Sequence, residues 1–447
     1  MKSYTLKYWE LVEISKYLQQ FKKIHSIYRT DYNTIRIEFD KRNIFYFNLQ
    51  RGNSFIYIKP YEGVRREKLN APFDTMLSNR FQKTEIEKIE IINEDKILRI
   101  TTKSFHKYKT TTSSIQFEFT GKHTNAILLD ENLVVLEALH HITEYQSIRV
   151  VQIGRKLENP PKPKFQFQSG KEIEDIREYL ISKYWKYVEE RISQLKIKGI
   201  KKLLSKIEKL QNRLESIESE EKLLEESRRA KKIGELILIR LNSIPKYSDE
   251  VELVDLEGNT IKFQRPKEAK SNTHMADIFF NLAKRLEKKS INSRVERENI
   301  LEKIEFLEKQ IQAIQNSSTI EEIEIITPKQ EKRERGEENL SIATFWIEGH
   351  KVMIGKSEKG NIELLENSKS NDIWLHLKDI PSAHVIIRTD RREVKKGILI
   401  EAGKLCAKFS TSEKGSYLVD YTKRKYVRIQ KGSKVLYTNY KTIEVEI

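Results

Sequence analysis

The chain has 447 residues, with 83 Lys and Arg against 66 Asp and Glu, and a formal net charge of +17 at pH 7. A third of the residues are charged and 38% are apolar, which suits two or three domains with long exposed helices and speaks against one large compact core, while the positive balance favours a polyanionic partner, nucleic acid or an anionic membrane surface. The single cysteine, Cys406, excludes an intrachain disulfide and a cysteine-cluster zinc site, no apolar run approaches the roughly 20 residues of a spanning helix, and no signal-peptide core follows Met1, so the cytoplasm is the expected compartment.

In chain order, Trp9, Leu11, Val12, Ile14, Tyr17 and Leu18 mark an amphipathic opening helix. Strand patterns follow at 34–39, 44–47 and 55–58 and read as an antiparallel meander. Residues 73–81 look helical, 86–100 return to strand, and the turn Gly121-Lys122-His123-Thr124-Asn125 feeds another strand. His140 and His141 are adjacent, a poor spacing for joint metal ligation from one strand, and read as structural or RNA-facing. Pro160, Pro161 and Pro163 close a first domain, 1–165.

Residues 166–318 read as an arm. Leu203, Ile207, Leu210, Leu214, Ile217 and Leu224 form one seam at heptad-like spacing. Met275, Phe279, Leu282 and Leu286, then Ile300, Ile304, Leu307, Ile311 and Ile314, form a second. Between them a small module at about 230–272 holds an apolar helix, 230–241, and a hairpin, 251–263, turning at Glu257-Gly258-Asn259. A chain that leaves on one seam and returns on another is an antiparallel coiled-coil arm with a module at its tip; two helices that dimerise with a second chain fit the same pattern. Lys196, Lys198, Lys201 and Lys202 suit RNA contact or an ordinary solvated face. A charged linker, 319–338, leads to the last domain, 339–447.

That domain opens with a hairpin, 344–347 and 351–354, around Gly349-His350. Gly355-Lys356-Ser357 lacks the glycine a P-loop needs five residues earlier, where His350 stands, so nucleotide hydrolysis is not expected. At its centre, Ile373, Leu375 and Leu377 alternate with Trp374, His376 and Lys378, a strand with one buried face. Pro381 turns the chain and 383–388 returns. An indole, an imidazole and an ammonium in a row on the other face would offer stacking and phosphate contact together, as RNA binding requires; an ordinary hairpin with a decorated surface has the same pattern. Helix 398–409 carries Cys406 as a buried thiol, and a strand at 419–422 leads into Lys423-Arg424-Lys425-Tyr426-Val427-Arg428. From Asp372 onward 16 Lys and Arg stand against 9 Asp and Glu, so this domain is basic by itself.

These motifs resemble the NFACT family, the RqcH-like ribosome quality-control factors also labelled fibronectin-binding proteins. Asp372, Ile373, Trp374, Leu375, His376, Lys378, Asp379, Ile380, Pro381, His384 and Val385 match the pattern of the family's C-terminal RNA-binding domain, with Ser382-Ala383 where Gly-Ser is usual. Gly121, Lys122, His123, Thr124, Asn125, Ile127 and Leu128 match a landmark of its first domain, as do Gly355, Lys356 and Asn361, and 419–422, in its last. Asp95-Lys96 aligns with an Asp-Arg pair implicated in engaging aminoacylated tRNA; lysine keeps the charge but loses the planar two-pronged donor.

The resemblance implies an α+β protein. Its parts would be an N-terminal glycosylase-like α/β domain, a long antiparallel coiled-coil arm with a small middle module, and a C-terminal α/β RNA-binding domain. Met1, Lys2 and Ser3 stand where glycosylases carry a proline amine and a glutamate, so glycosylase chemistry is not expected. The stretch 166–199 is too short for the family's helix-hairpin-helix domain. The implied role is an adaptor, neither an enzyme nor a cofactor or metal protein. It would bind large ribosomal subunits, and hence their rRNA, obstructed by peptidyl-tRNA, and recruit charged tRNA, alanine tRNA in bacterial members, for untemplated C-terminal tailing. No membrane partner is implied. Asp95, Lys96, Lys122, His123 and Asn125 would then contact tRNA, and Lys356, Trp374, His376, Lys378, Asp379, His384, Arg388 and Lys425 would contact RNA. The alternatives are a general RNA-binding protein without tRNA selection and a surface adhesin for fibronectin or fibrinogen.

Overall fold

The structure is a computed structural model and describes residues 5–61, 69–106, 109–163, 170, 172–245, 248–255, 258–327, 341–390, 392–430 and 434–447. It is an α+β chain with a long helical arm, divided into two compact units, Met1–Glu190 and Arg191–Ile447.

The first unit opens with α1 (Tyr8–Leu18), whose Leu11, Ile14 and Leu18 are buried. Strands β1 (Lys23–Asp31), β2 (Thr34–Phe39), β3 (Asn43–Gln50) and β4 (Asn53–Tyr57) form the antiparallel meander. After α2 (Pro72–Phe81) come β5 (Thr84–Ile91), β6 (Ile97–His106), β7 (Lys109–Glu118), β8 (Asn125–Asp130) and β9 (Val135–Ala138). Two differences from the sequence reading stand out. β1, broken by two register shifts, carries no clean alternation, and 86–100 is two strands, because Asn93 and Glu94 adopt left-handed conformations (φ 52° each) and reverse the chain. The nine strands run in the order β4-β3-β2-β1-β5-β6-β7-β8-β9. Phe47 on β3 nevertheless stacks on Phe117 of β7 with centroids 4.4 Å apart, so the sheet curls over its own core.

Helix α3 (Ile176–Ser216) starts in the first unit, where Ile176, Leu180 and Tyr184 join the core, and ends in the second. There α3 and then α4 (Glu220–Ile239) lie along α5 (Asn272–Asn316). Lys196 Nζ donates to Gln315 O (2.6 Å), Arg213 pairs with Glu296 (2.5 Å), Ser293 Oγ donates to Glu218 O (2.5 Å), and Ser227 Oγ donates to Ala283 O (2.9 Å). One number climbs as the other falls, so the helices are antiparallel. Ile207, Ile300 and Ile304 fill the seam. At the far end β10 (Glu250–Val254) and β11 (Thr260–Gln264) form a hairpin whose Val251 and Leu253 pack with Ile233, Ile237 and Met275.

The expected seam ran unbroken from Ile217 to Leu224, but the helix stops at Ser216. Ser219 begins a new one, its side chain accepting the Lys222 amide (3.3 Å). The restart shifts the frame by one residue, so Leu223 is 2% exposed while Leu224 is half-buried.

Residues expected as the start of a charged linker instead form α6 (Ile320–Ile326), with Ile323 and Ile326 in the second unit's core. Glu322 of α6 binds the ammonium of Lys408 (2.9 Å), itself buried. The rest of that linker, 328–338, and the next two residues lie outside the described residues.

The last domain contains β12 (Ile342–Ile347), β13 (His350–Gly355), α7 (Glu358–Glu366), β14 (Ile373–Leu377), β15 (Val385–Ile387), α8 (Lys396–Ser410), β16 (Ser416–Lys423), β17 (Val427–Ile429), β18 (Val435–Tyr437) and β19 (Lys441–Glu446). Six strands make one antiparallel sheet, β12-β13-β15-β14-β16-β19, while β17 and β18 pair apart as a ribbon. Helix α8 and the base of the arm cover one face, with Phe306 stacked on Phe409 (5.1 Å). Helix α7 and the ribbon cover the other.

The phase shift is testable. Leu223→Ala is expected to lower unfolding free energy by about 2–5 kcal/mol, the range for a fully buried leucine, and Leu224→Ala clearly less. Urea denaturation of the two variants measures the difference, and equal losses would restore the unbroken seam.

Candidate RNA interface

In the first unit the hairpin tips order the candidate residues. β6 pairs with β7 from Ile97↔Glu118, and the Phe119 amide donates to Lys96 O (2.8 Å), so the Asp95-Lys96 turn lies beside the 3-10 turn Gly121–His123. Asp95 accepts the Lys96 amide (2.7 Å), and both side chains are half-buried. Burial pushes the Lys96 ammonium pKa down, against the pull of Asp95 and Glu10. His123 is exposed; the Lys122 side chain lies outside the described residues.

Asn125 does not belong to a contact surface, which corrects the sequence reading. It is 1% exposed. Its amide nitrogen donates to His140 O (2.7 Å), and its oxygen accepts the His140 and Ala126 amides (2.9 Å each). It fastens the strand after Gly121 to the end of β9. Glu118, equally buried, grips Arg149 (2.5 and 2.9 Å) at the same end of the sheet. His141 bonds Glu137 (2.6 Å). Sequence reasoning missed Glu118 and Arg149, 31 residues apart, for want of any local signal.

In the second unit the period of two on β14 is as read, but its second face is covered. Trp374 is 0% exposed, packed among Met353, Leu364, Leu365, Ile386 and Val427. Its ring stacks on His376 (5.6 Å, 11°) and meets Tyr437 (4.8 Å) and the edge of His384 (5.7 Å). The expectation that Trp374 offers an open stacking surface is therefore corrected, because α7 and the ribbon lie over it. His384 is buried as well, and Trp374 Nε1 and His384 Nδ1 find no hydrogen-bond partner among the described residues. His376 is half-buried, its Nδ1 2.6 Å from Leu377 O.

The family landmark around Gly355 is likewise internal. A Cβ on Gly355 would sit 2.2 Å from Asn361 Oδ1, and that oxygen accepts the His384 amide (3.0 Å). Glycine is needed there so that α7 can clamp the strand. Arg388 is half-buried, and its guanidinium binds the buried Asp372 (3.3 Å) and Asn367 O (2.9 Å). The Ser382 substitution costs no backbone strain, since the left-handed residue of this turn is Asp379 (φ 57°), and Ser382 Oγ accepts the Leu377 amide (3.0 Å).

The surface candidates fall into two groups. Lys356, Lys378 and exposed Asp379 lie at the Leu377 end of β14, with the Lys356 ammonium 5.6 Å from the Phe306 ring centroid. Exposed Lys425 lies at the Ile373 end, near exposed Lys423, which pairs with Ile373, and Arg428. A five-residue strand of roughly 16 Å separates them, a span matching several nucleotides rather than one. Cys406 is buried and its thiol is pushed up to about 12, an inert group. Among the described residues no cluster of His, Cys, Asp or Glu could hold a metal ion.

Trp374→Ala should destabilise the chain by about 3–5 kcal/mol, while Trp374→Phe should give the same RNA titration as the wild type; thermal melts and that titration check both. A second outcome concerns pH. Burial, with His376 and Arg424 adding to it, pushes the His384 imidazole down to about 3 from its ordinary 6.5. Below 6.5 the unfolded chain takes up a proton that the native one refuses. Stability is thus full above pH 6.5 and falls toward pH 3, by at most about 1.4 kcal/mol per pH unit from this group. Urea midpoints between pH 7.5 and 5 should fall in the wild type and less steeply in His384→Gln.

Residues 11–185 match the family model described as NFACT N-terminal and middle domains. The Rqc2 homolog RqcH of Bacillus subtilis is 30% identical over 244 residues, which is 49% of this chain and 42% of that protein. The Rqc2 homolog RqcH of Streptococcus pneumoniae is 23% identical over 353 residues, 75% of this chain and 63% of that protein. The chain thus matches 42% to 63% of the length of these relatives. Among solved structures, the N-terminal part of the fibronectin/fibrinogen-binding protein from Streptococcus suis is 18% identical, with a TM-score of 0.33, over 36% of this chain and 62% of that one. The stretch that matches the NFACT family model, residues 11–185, includes the Asp95-Lys96 and Gly121–His123 turns that share one end of the first sheet.

Proposed function

We propose that the chain is a ribosome quality-control adaptor of the RqcH type, not an enzyme. It binds the rRNA of large subunits obstructed by peptidyl-tRNA and recruits charged tRNA, alanine tRNA in the first instance, for untemplated tailing. The carrying observation is the 30% identity to a Bacillus RqcH over 244 residues. The geometry agrees with it: Lys96 and His123 share one end of the first sheet, and Lys378, Lys423, Lys425 and Arg428 supply cations for phosphate on the last domain. The ribosome would carry out the peptide-bond chemistry, and this chain would supply position and charge. The reading requires the cytoplasm; among the described residues no helix is long and apolar enough to cross a membrane. A second reading, RNA binding without tRNA selection, is favoured by Lys96 replacing the forked arginine donor.

Sequencing the RNA that co-purifies with the chain separates the two. Large-subunit rRNA with enriched alanine tRNA is expected, and random RNA would overturn the quality-control role. Asp95→Ala with Lys96→Ala should lose tRNA but keep subunit co-sedimentation. Lys423→Ala with Lys425→Ala should weaken subunit binding and flatten its salt dependence by about one logarithmic unit per lost phosphate contact.

A further inference from the structure

The first unit presents rings and ammonium groups together where β4 runs out against the opening turns of α3. The Ile58 amide donates to Leu180 O (3.3 Å), joining the two elements. Ile176, Leu180 and Tyr184 recur every four residues and face the core, which turns Trp185 outward. Trp185 is 48% exposed and Tyr61 56%, with ring centroids 6.1 Å apart. They rest on a firm layer: buried Tyr57 stacks on Tyr46 (5.1 Å) and on Tyr184 (5.5 Å), and Tyr184 contacts both Trp185 (5.3 Å) and Tyr61 (6.4 Å).

Cations lie against the supporting layer and against Tyr179 beside it. Lys59 Nζ lies 4.6 Å from the Tyr46 centroid and 6.0 Å from that of Tyr184. Lys183 Nζ lies 4.6 Å from the Tyr179 centroid and 3.1 Å from Glu10. Burial first, then Lys186 and Lys7, push the Lys183 pKa down, against Glu10. Glu10 is buried and already takes the Lys7 amide (2.7 Å) and the Tyr179 hydroxyl. Glu178 and Glu189 bound the patch along α3.

We propose that this patch is a further RNA contact of the first unit, taking unpaired nucleotides whose bases stack on Trp185 and Tyr61 while Lys59 and Lys186 meet the phosphates. It rests on the reading of the chain as an RNA-handling factor and gives that reading a single-strand site. The two exposed apolar side chains are aromatic rather than aliphatic, which suits bases better than an acyl surface, and the lysines suit a polyanion.

The test titrates the intact chain with a 12-nucleotide single-stranded oligouridine and with an RNA duplex of equal length, following tryptophan emission. Quenching by the single strand is expected, reduced or lost in Trp185→Phe. Trp185→Ala with Tyr61→Ala should weaken single-strand affinity roughly tenfold or more, with an unchanged melting temperature as the folding control, and Lys59→Ala should lower the salt slope by about one. Quenching unchanged in Trp185→Phe, equal affinity for the duplex, or unaltered affinity in the double variant would overturn the proposal. So would equal quenching by polyglutamate or by phosphatidylserine vesicles, which would point to an acidic protein or a membrane. Subunit co-sedimentation in parallel separates the two readings. Its failure in the wild type sinks the quality-control role while the oligonucleotide result still decides the patch; its success beside indifferent ring variants sinks the patch alone.

Discussion

Covering the Trp374 indole is the constraint on which the last domain depends. A ring of this size removes roughly 150–250 Å² from water, about 4–6 kcal/mol at 25 cal/mol per Å². Its Nε1–H lacks an acceptor among the described residues, a loss of about 1–3 kcal/mol, so burial still wins. The β17–β18 ribbon lies over the ring and is itself held to the sheet. Arg424 donates to Leu365 O (2.8 Å) and Val427 O (2.7 Å), and the Tyr437 hydroxyl donates to buried Asp420 (2.8 Å). Arg428 sits on that ribbon and Lys425 on the turn entering it. Trp374 thus supports the cationic face from beneath instead of forming it.

The same division recurs through the motifs. Gly355, Asn361, Asp372, His384 and Arg388 are tied to one another or to backbone, and Asn125, Glu118 and Arg149 do the equivalent work in the first unit. What reaches solvent is a smaller set, including His123, Asp379, Lys423, Lys425 and Arg428. A surface made of long flexible cations needs a backbone that does not move, and most of a motif can be spent on holding it.

That division explains what the sequence could show. Alternation in 34–39, 44–47 and 373–377 found strands because a period of two survives whatever lies on each face. It could not say that both faces of β14 are covered, since Trp and His serve a half-polar interior as well as a surface. The arm's seams were legible from their three-and-four spacing, but a restart at Ser219 shifts the frame by one residue and leaves the spacing almost intact. Helix α7 is short and contains Gly360 and Asn361, so no helical stripe announces it. The pairs Glu118–Arg149 and Glu10–Lys183 are made by folding across 31 and 173 positions and have no local signature.

Lys96 brings these arguments to one residue. Half-burying an ammonium is costlier than half-burying a guanidinium, which is more weakly hydrated, and the downward push on the Lys96 pKa reflects that cost. Asp95 and Glu10 pull the other way and favour the charged form. An anion placed at this turn would meet a charge but not the two-pronged geometry of arginine. On the proposed reading, selectivity that a forked donor would have supplied at this turn would come from contacts with directional faces of their own. In the first unit, the exposed rings of Tyr61 and Trp185 have such faces.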